Sequence, residues 1–136
     1  MSAETPDQVH ELFQKYFNAG DINSLISLYE PTAALVPFPG PPVSGHTAIR
    51  EALNGFLALK GQMEIQIKQV FQAGDIALLL SRWTLKGTDP SGARVERTGQ
   101  TSDVARRQSD GNWLLAIDNP NGAEAAESSG LAASNS

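Results

Sequence analysis

Residues 98–121 read TGQTSDVARRQSDGNWLLAIDNPN. Asp110-Gly111 lies between two runs of β-type residues, and Asp-Gly is the favoured pair for a two-residue type I′ hairpin turn. Such a turn predicts two antiparallel strands in which Val104 faces Ile117, Ala105 faces Ala116 and Asp103 faces Asp118. Two carboxylates opposite each other among apolar neighbours repel and lose hydration. A fold has little structural use for that pairing, so it marks a candidate functional site. The alanines beside the pair are small and leave room for a ligand. A bulge within 93–108 would instead shift the register by one residue and turn one aspartate to solvent.

Outward from this hairpin the period of the apolar residues is two as far back as Gly61. Met63, Ile65 and Ile67 alternate with Glu64, Gln66 and Lys68, which predicts a strand with one wet face. Gly74-Asp75 turns into a strand over 76–86, and Asp89-Pro90-Ser91-Gly92 turns into another over 94–108. Strands joined by such short turns pair antiparallel. Before Gly61 the period is helical. Thr5-Pro6-Asp7-Gln8 predicts a capping box opening a helix with Val9, Leu12, Phe13, Tyr16 and Phe17 on its apolar face. Asp21 caps a second helix with Leu25, Ile26, Leu28 and Tyr29 inward, stopped by Pro31. Residues 33–38 predict a short strand, and Ala48, Ile49, Ala52, Leu53, Phe56 and Leu57 a third helix. Helices segregated from a mainly antiparallel sheet define an α+β domain. It is expected to span residues 1–121, with a disordered polar tail over 122–136, where Leu131 is the one large apolar residue.

Composition narrows the function classes. The 136 residues include 40% hydrophobic and 18% charged side chains, as in an ordinary globular protein. The net charge of −5 disfavours nonspecific binding to nucleic acid or to an anionic membrane. With no cysteine, thiolate chemistry and Cys-based zinc sites are excluded. The N-terminal MSAETPDQVHELF lacks a basic region followed by an apolar core, and no apolar run is long enough to span a bilayer. A cytoplasmic protein is expected. No glycine-rich phosphate loop occurs. His10 reads onto the polar side of the first helix and His46 onto the start of the third, which makes a poor metal site. No metal and no cofactor are expected.

Several separated motifs now agree in order: Phe17-Asn18-Ala19-Gly20-Asp21-Ile22, Leu28-Tyr29-Glu30-Pro31, Gly45 with Ala48-Ile49-Arg50, and Arg106-Arg107 with Asp110-Gly111-Asn112-Trp113. In these the chain resembles the superfamily of nuclear transport factor 2 and SnoaL-like proteins, in its bacterial, ketosteroid-isomerase-like branch. The resemblance covers about residues 6–121 and implies a cone-shaped fold with three N-terminal helices packed on a curved sheet. It implies much less about activity, since the fold hosts isomerases, dehydratases, cyclases, epoxide hydrolases and binding modules. Aligned with ketosteroid isomerase, the oxyanion-hole tyrosine falls at Phe13 and the general base at Val36, so that catalytic base is not retained. Asp103 matches the aspartate that donates to the oxyanion. In the epoxide hydrolases an arginine precedes one aspartate by two residues, and Thr101 stands there instead.

Together these readings predict a small-molecule-processing enzyme of isomerase-like or dehydratase-like acid–base chemistry. Asp103 and Asp118 are its expected catalytic residues. Phe13, Tyr16, Phe17, Phe38, Leu53, Phe56, Leu79, Trp83, Thr101, Ala116 and Pro120 are expected to wall its pocket. The expected ligand is an apolar or mixed-polarity organic molecule. Arg107 shares the face of Asp103; a solvated hairpin end is its expected place, with a rim position that attracts an anionic group as the alternative. A noncatalytic ligand-binding domain and an assembly scaffold of the same fold are the alternatives. Outward-facing Leu78, Leu80, Val104, Leu115 and Ile117 predict a homodimer through the outer face of the sheet.

Overall fold

The computed structural model describes residues 2–37 and 40–123. Phe38 and most of the expected tail lie outside the described residues. Helix α1 (Pro6–Asn18) carries proline in its first turn, where the missing N–H costs nothing. The predicted capping box does not form. Thr5 makes no side-chain cap, and the Gln8 amide oxygen accepts from the Glu4 N–H at 2.7 Å. Gly20, at φ +68°, lets the chain reverse into α2 (Ile22–Ile26), whose first turn is capped by the Asp21 carboxylate. Helix α3 (His46–Leu57) buries Ile49 and Leu53.

The second helix is shorter than its sequence suggests. Strand β1 (Tyr29–Leu35) begins where the helical reading places Tyr29 and contains Pro31. Proline is tolerated there because the parallel ladder to β7 is interrupted between Tyr29 and Ala34, so no ladder N–H is needed. A two-residue strand, β2 (Val43–Ser44), pairs with the end of β1. The remaining strands are β3 (Gln62–Ala73), β4 (Ile76–Thr88), β5 (Arg94–Gln100), β6 (Asp103–Arg107) and β7 (Trp113–Asp118). They form one sheet in the order β2-β1-β7-β6-β4-β3, with β5 extending alongside β4. Every pairing is antiparallel except β1 with β7. Along β4 the residues Ala77, Leu79, Ser81, Trp83 and Leu85 are buried and face the helices, as period-two alternation requires. The free edge of β3 is covered by α1. Asn18 bonds both the N–H and the carbonyl of Met63, and Gln14 accepts from Ile65, so two side chains stand in for a neighbouring strand.

The register of the hairpin differs from the simple reading in two places that cancel. Its turn is a three-residue loop: Gln108 N–H donates to Asn112, Gly111 N–H donates back to Gln108, and Arg107 pairs with Trp113. Gly111 sits at φ +88°, the left-handed position such a loop requires. This offset pairs Ala105 with Leu115 rather than with Ala116. A bulge at Ala116 then takes up the extra residue, and Val104 faces Ile117 as expected. Leu115 and Ala116 are consecutive buried residues for the same reason. The predicted outward direction of Leu115 is therefore wrong, and it is 1% exposed in the core. No bulge lies in 93–108. Residues 94–106 hold one register against β4, with the Thr101 hydroxyl accepting the Ser81 N–H where the ladder is interrupted.

Candidate active site

Asp103 opens β6 and Asp118 closes β7, and the two cancelling offsets bring them together. Both face a cavity of about 60 Å³ between the helices and the sheet. His10, Phe13 and Phe17 of α1, Leu35 of β1, Leu53 and Phe56 of α3 and Met63 and Ile65 of β3 line it. Trp83, Thr101 and Pro120 complete its wall beside the two aspartates. Opposite Trp83 on β5 stands Gly99, where an added Cβ would lie 2.7 Å from the indole nitrogen. That absence lets the indole N–H reach the Pro120 carbonyl at 2.6 Å and fixes the ring.

The polar end of the cavity is one connected set of buried groups. Asp103 is 2% exposed, Asp118 6% and His10 3%. The His10 Nε2 lies 2.7 Å from Asp103 Oδ2, and its Nδ1 lies 2.8 Å from the Ser81 hydroxyl. The other oxygen of Asp103 accepts the backbone N–H of Asn119 at 2.7 Å. Asp118 accepts a short hydrogen bond from the hydroxyl of Tyr29, which is wholly buried behind it. Burial, then the charge of Asp103 and a hydrogen bond between the two carboxyls, hold Asp118 well above the usual carboxylate range, against an opposing pull from Tyr29. Burial and the neighbouring carboxyls likewise keep the Tyr29 phenol protonated. Ionisation of Asp118 is thus opposed by the carboxyl beside it.

Of the expected wall residues, Phe13, Phe17, Leu53, Phe56, Trp83, Thr101 and Pro120 line the cavity. Tyr16 does not, because the stripe facing the cavity is His10, Phe13 and Phe17, one helical step round from Val9, Leu12 and Tyr16. Leu79 is enclosed in the core, and Ala116 is displaced from the lining by the bulge. Phe38 lies outside the described residues. His10 does not take the polar side of its helix, as the sequence suggests, but faces the cavity. The signal for this is its spacing to Phe13 and Phe17, which places all three on one face. Ser81 and Tyr29 carry no comparable signal, since each reads as an ordinary inward residue. His46 donates from Nε2 to the Tyr29 carbonyl, 2.9 Å away, and stays out of the cavity. Arg107 is held by Asp75 at 2.8 Å over the Trp113 ring, at the hairpin end rather than at the cavity rim. Among the described residues no cluster of three metal-ligating side chains occurs, and no helix is long and apolar enough to cross a membrane.

Comparison with known proteins agrees with this architecture. The profile of the SnoaL-like domain family matches residues 9–115. A ketosteroid isomerase-like protein from Erwinia carotovora atroseptica is 23% identical and superimposes with a TM-score of 0.75, over 82% of this chain and 88% of that one. A provisionally assigned dehydratase of the NTF2-like family from Streptomyces avermitilis is 20% identical, with a TM-score of 0.69 over 83% and 90%. A provisionally assigned calcium/calmodulin-dependent protein kinase II association domain from Xanthomonas campestris is also 20% identical, with a TM-score of 0.71 over 81% and 79%. At these identities the likeness carries the fold, an α+β NTF2-like cone with a curved, mostly antiparallel sheet. No curated protein matches the sequence.

Proposed function

Because this chain belongs to the SnoaL-like domain family, we propose that it is an acid–base enzyme acting on a small, mainly apolar organic molecule. One observation carries the reading: a hydrogen-bonded series from Ser81 through His10, Asp103 and Asp118 to Tyr29 ends an otherwise apolar cavity. Burying two carboxyls in contact is costly, and a purely structural cavity floor would be cheaper to build from apolar residues. In this reading the two divide the labour. Asp118 carries the shared proton and donates it toward a ligand oxygen. Asp103, which accepts N–H bonds from His10 and Asn119, takes a proton from the adjacent carbon. For a β,γ-unsaturated carbonyl ligand the product is the dienol, and return of the proton at the γ-carbon completes an isomerisation. For a β-hydroxy carbonyl ligand, transfer of the Asp118 proton to the leaving hydroxyl releases water. Both ring nitrogens of His10 are occupied, so it is a positioning residue that orients Asp103.

Deuterium exchange tests this even while the natural substrate is unidentified. Small cyclic ketones, with cyclopentanone first, are incubated with the protein in D2O and followed by proton NMR. Wild type should accelerate loss of the α-proton signals over buffer, and Asp103→Asn should lose the acceleration. Ligands that bind but exchange no faster than in buffer would replace the enzyme reading with a noncatalytic binding domain.

We infer that the protein forms a homodimer through the outer face of its sheet. Phe71, Leu78, Val104 and Ile117 pair in register across β3, β4, β6 and β7, on the sheet face away from the helices. Phe71 is 54% exposed and Ile117 42%, with Ile76 and Leu78 exposed beside them. An apolar row running through four strands supports burial against a second copy of the same face.

A further inference from the structure

We propose that the carboxyl end of the cavity binds a small organic amine as its ammonium ion. The proposal concerns the same cavity but does not depend on turnover. Three features point to it. The lining holds two carboxyls and, among the described residues, neither lysine nor arginine, so an anionic head group would meet like charge in a dry site. The rest of the wall is apolar or aromatic, with Phe13, Phe17, Phe56 and Trp83 available to cover a hydrocarbon body. The titratable groups that meet at the pair are His10 from α1, Tyr29 from β1, and the two aspartates from β6 and β7. Tyr29 is neutral, and His10 is engaged by Ser81 and Asp103. Among the described residues, no lysine or arginine balances a second carboxylate there.

An ammonium ion supplies that cation. A ligand oxygen takes only a hydrogen bond from Asp118, whereas an ammonium nitrogen can donate to both carboxylates at once. The charges balance in one way. The amine enters already protonated from water, Asp118 gives up its proton to solvent, and the site then holds one ammonium and two carboxylates. Binding therefore releases a proton. It also strengthens as pH rises through the native pKa of Asp118, until the free amine itself loses its proton.

The test uses three probes of one shape: cyclopentylamine, cyclopentanol and cyclopentanecarboxylate. Titration calorimetry near neutral pH, repeated in buffers of different ionisation enthalpy, counts the protons exchanged. The expected result is that the amine binds at least about tenfold more tightly than the alcohol, that the carboxylate does not bind, and that about one proton leaves per amine bound. Asp118→Asn should abolish the proton release, with thermal melting used to confirm that this variant is folded. Equal binding of amine and alcohol would overturn the proposal, as would amine binding without proton release, carboxylate binding, or no binding by any of the three. The wild-type comparison stands even if the variant does not fold. A failure here leaves the ketone-exchange result intact, and the converse also holds.

Discussion

Asp118 holds its proton to higher pH in the folded protein than in the unfolded chain, because burial and Asp103 oppose its ionisation. A group with a raised native pKa contributes its full stability below the unfolded value and loses it as pH rises through the native value. Asp118→Asn removes that loss. Its stability relative to wild type should grow as pH rises above about 3.9 and level off beyond the native pKa of Asp118. Urea denaturation across this range checks it, and a wild-type-to-variant gap that does not change with pH would count against it. His10→Ala leaves the buried Ser81 hydroxyl and one oxygen of Asp103 unpaired and opens a void, so it should cost about 2–4 kcal/mol in the same measurement. Both aspartates are legible in the sequence because two carboxyls at matched positions of a hairpin conflict with a simple fold. His10 is legible only in its face, which its spacing to Phe13 and Phe17 gives; its partners on β4 and β6 lie far off in sequence, and spacing does not bring them into view.

At the scale of the element, the hairpin shows how a correct juxtaposition can follow from an incorrect turn. A two-residue turn with no bulge and a three-residue loop with one bulge place Asp103 and Asp118 alike, but they differ at Leu115 and Ala116. The alternation of the sequence does not separate them, since leucine and alanine both suit either face. The loop makes its own demand on Gly111, whose φ of +88° is strained for any residue with a Cβ. Gly111→Ala should therefore destabilise the protein by about 1 kcal/mol, visible as a lowered denaturation midpoint with an unchanged slope. An Ala variant as stable as wild type would argue for a different turn. The early end of α2 and the entry of Pro31 into β1 have a similar origin. Helix and strand propensities are nearly balanced over 28–30, and pairing with β7 decides the outcome.

For the whole molecule, the order of elements is readable because apolar periodicity changes from helical to twofold at Gly61 and short turns leave few ways to pair the strands. What the molecule binds is less readable, because cavity walls and core are built from the same residues. Phe13 lines the cavity and Leu79 does not, yet both are apolar and inward-facing. Light scattering at micromolar concentration should give the mass of a dimer, and Ile117→Lys, which places a charge in the exposed apolar row, should give a folded monomer. A monomeric wild type would remove the dimer.

The claim on which the functional account turns is that Asp103 and Asp118 share one proton at the cavity floor. Carbon-detected NMR titration of the two side-chain carboxyls measures this directly in wild type and in Asp103→Asn. The account predicts that Asp118 titrates well above the ordinary value of about 3.9, and that its pKa falls when the neighbouring charge is removed. Two independent titrations near the ordinary value, unchanged by the substitution, would contradict it.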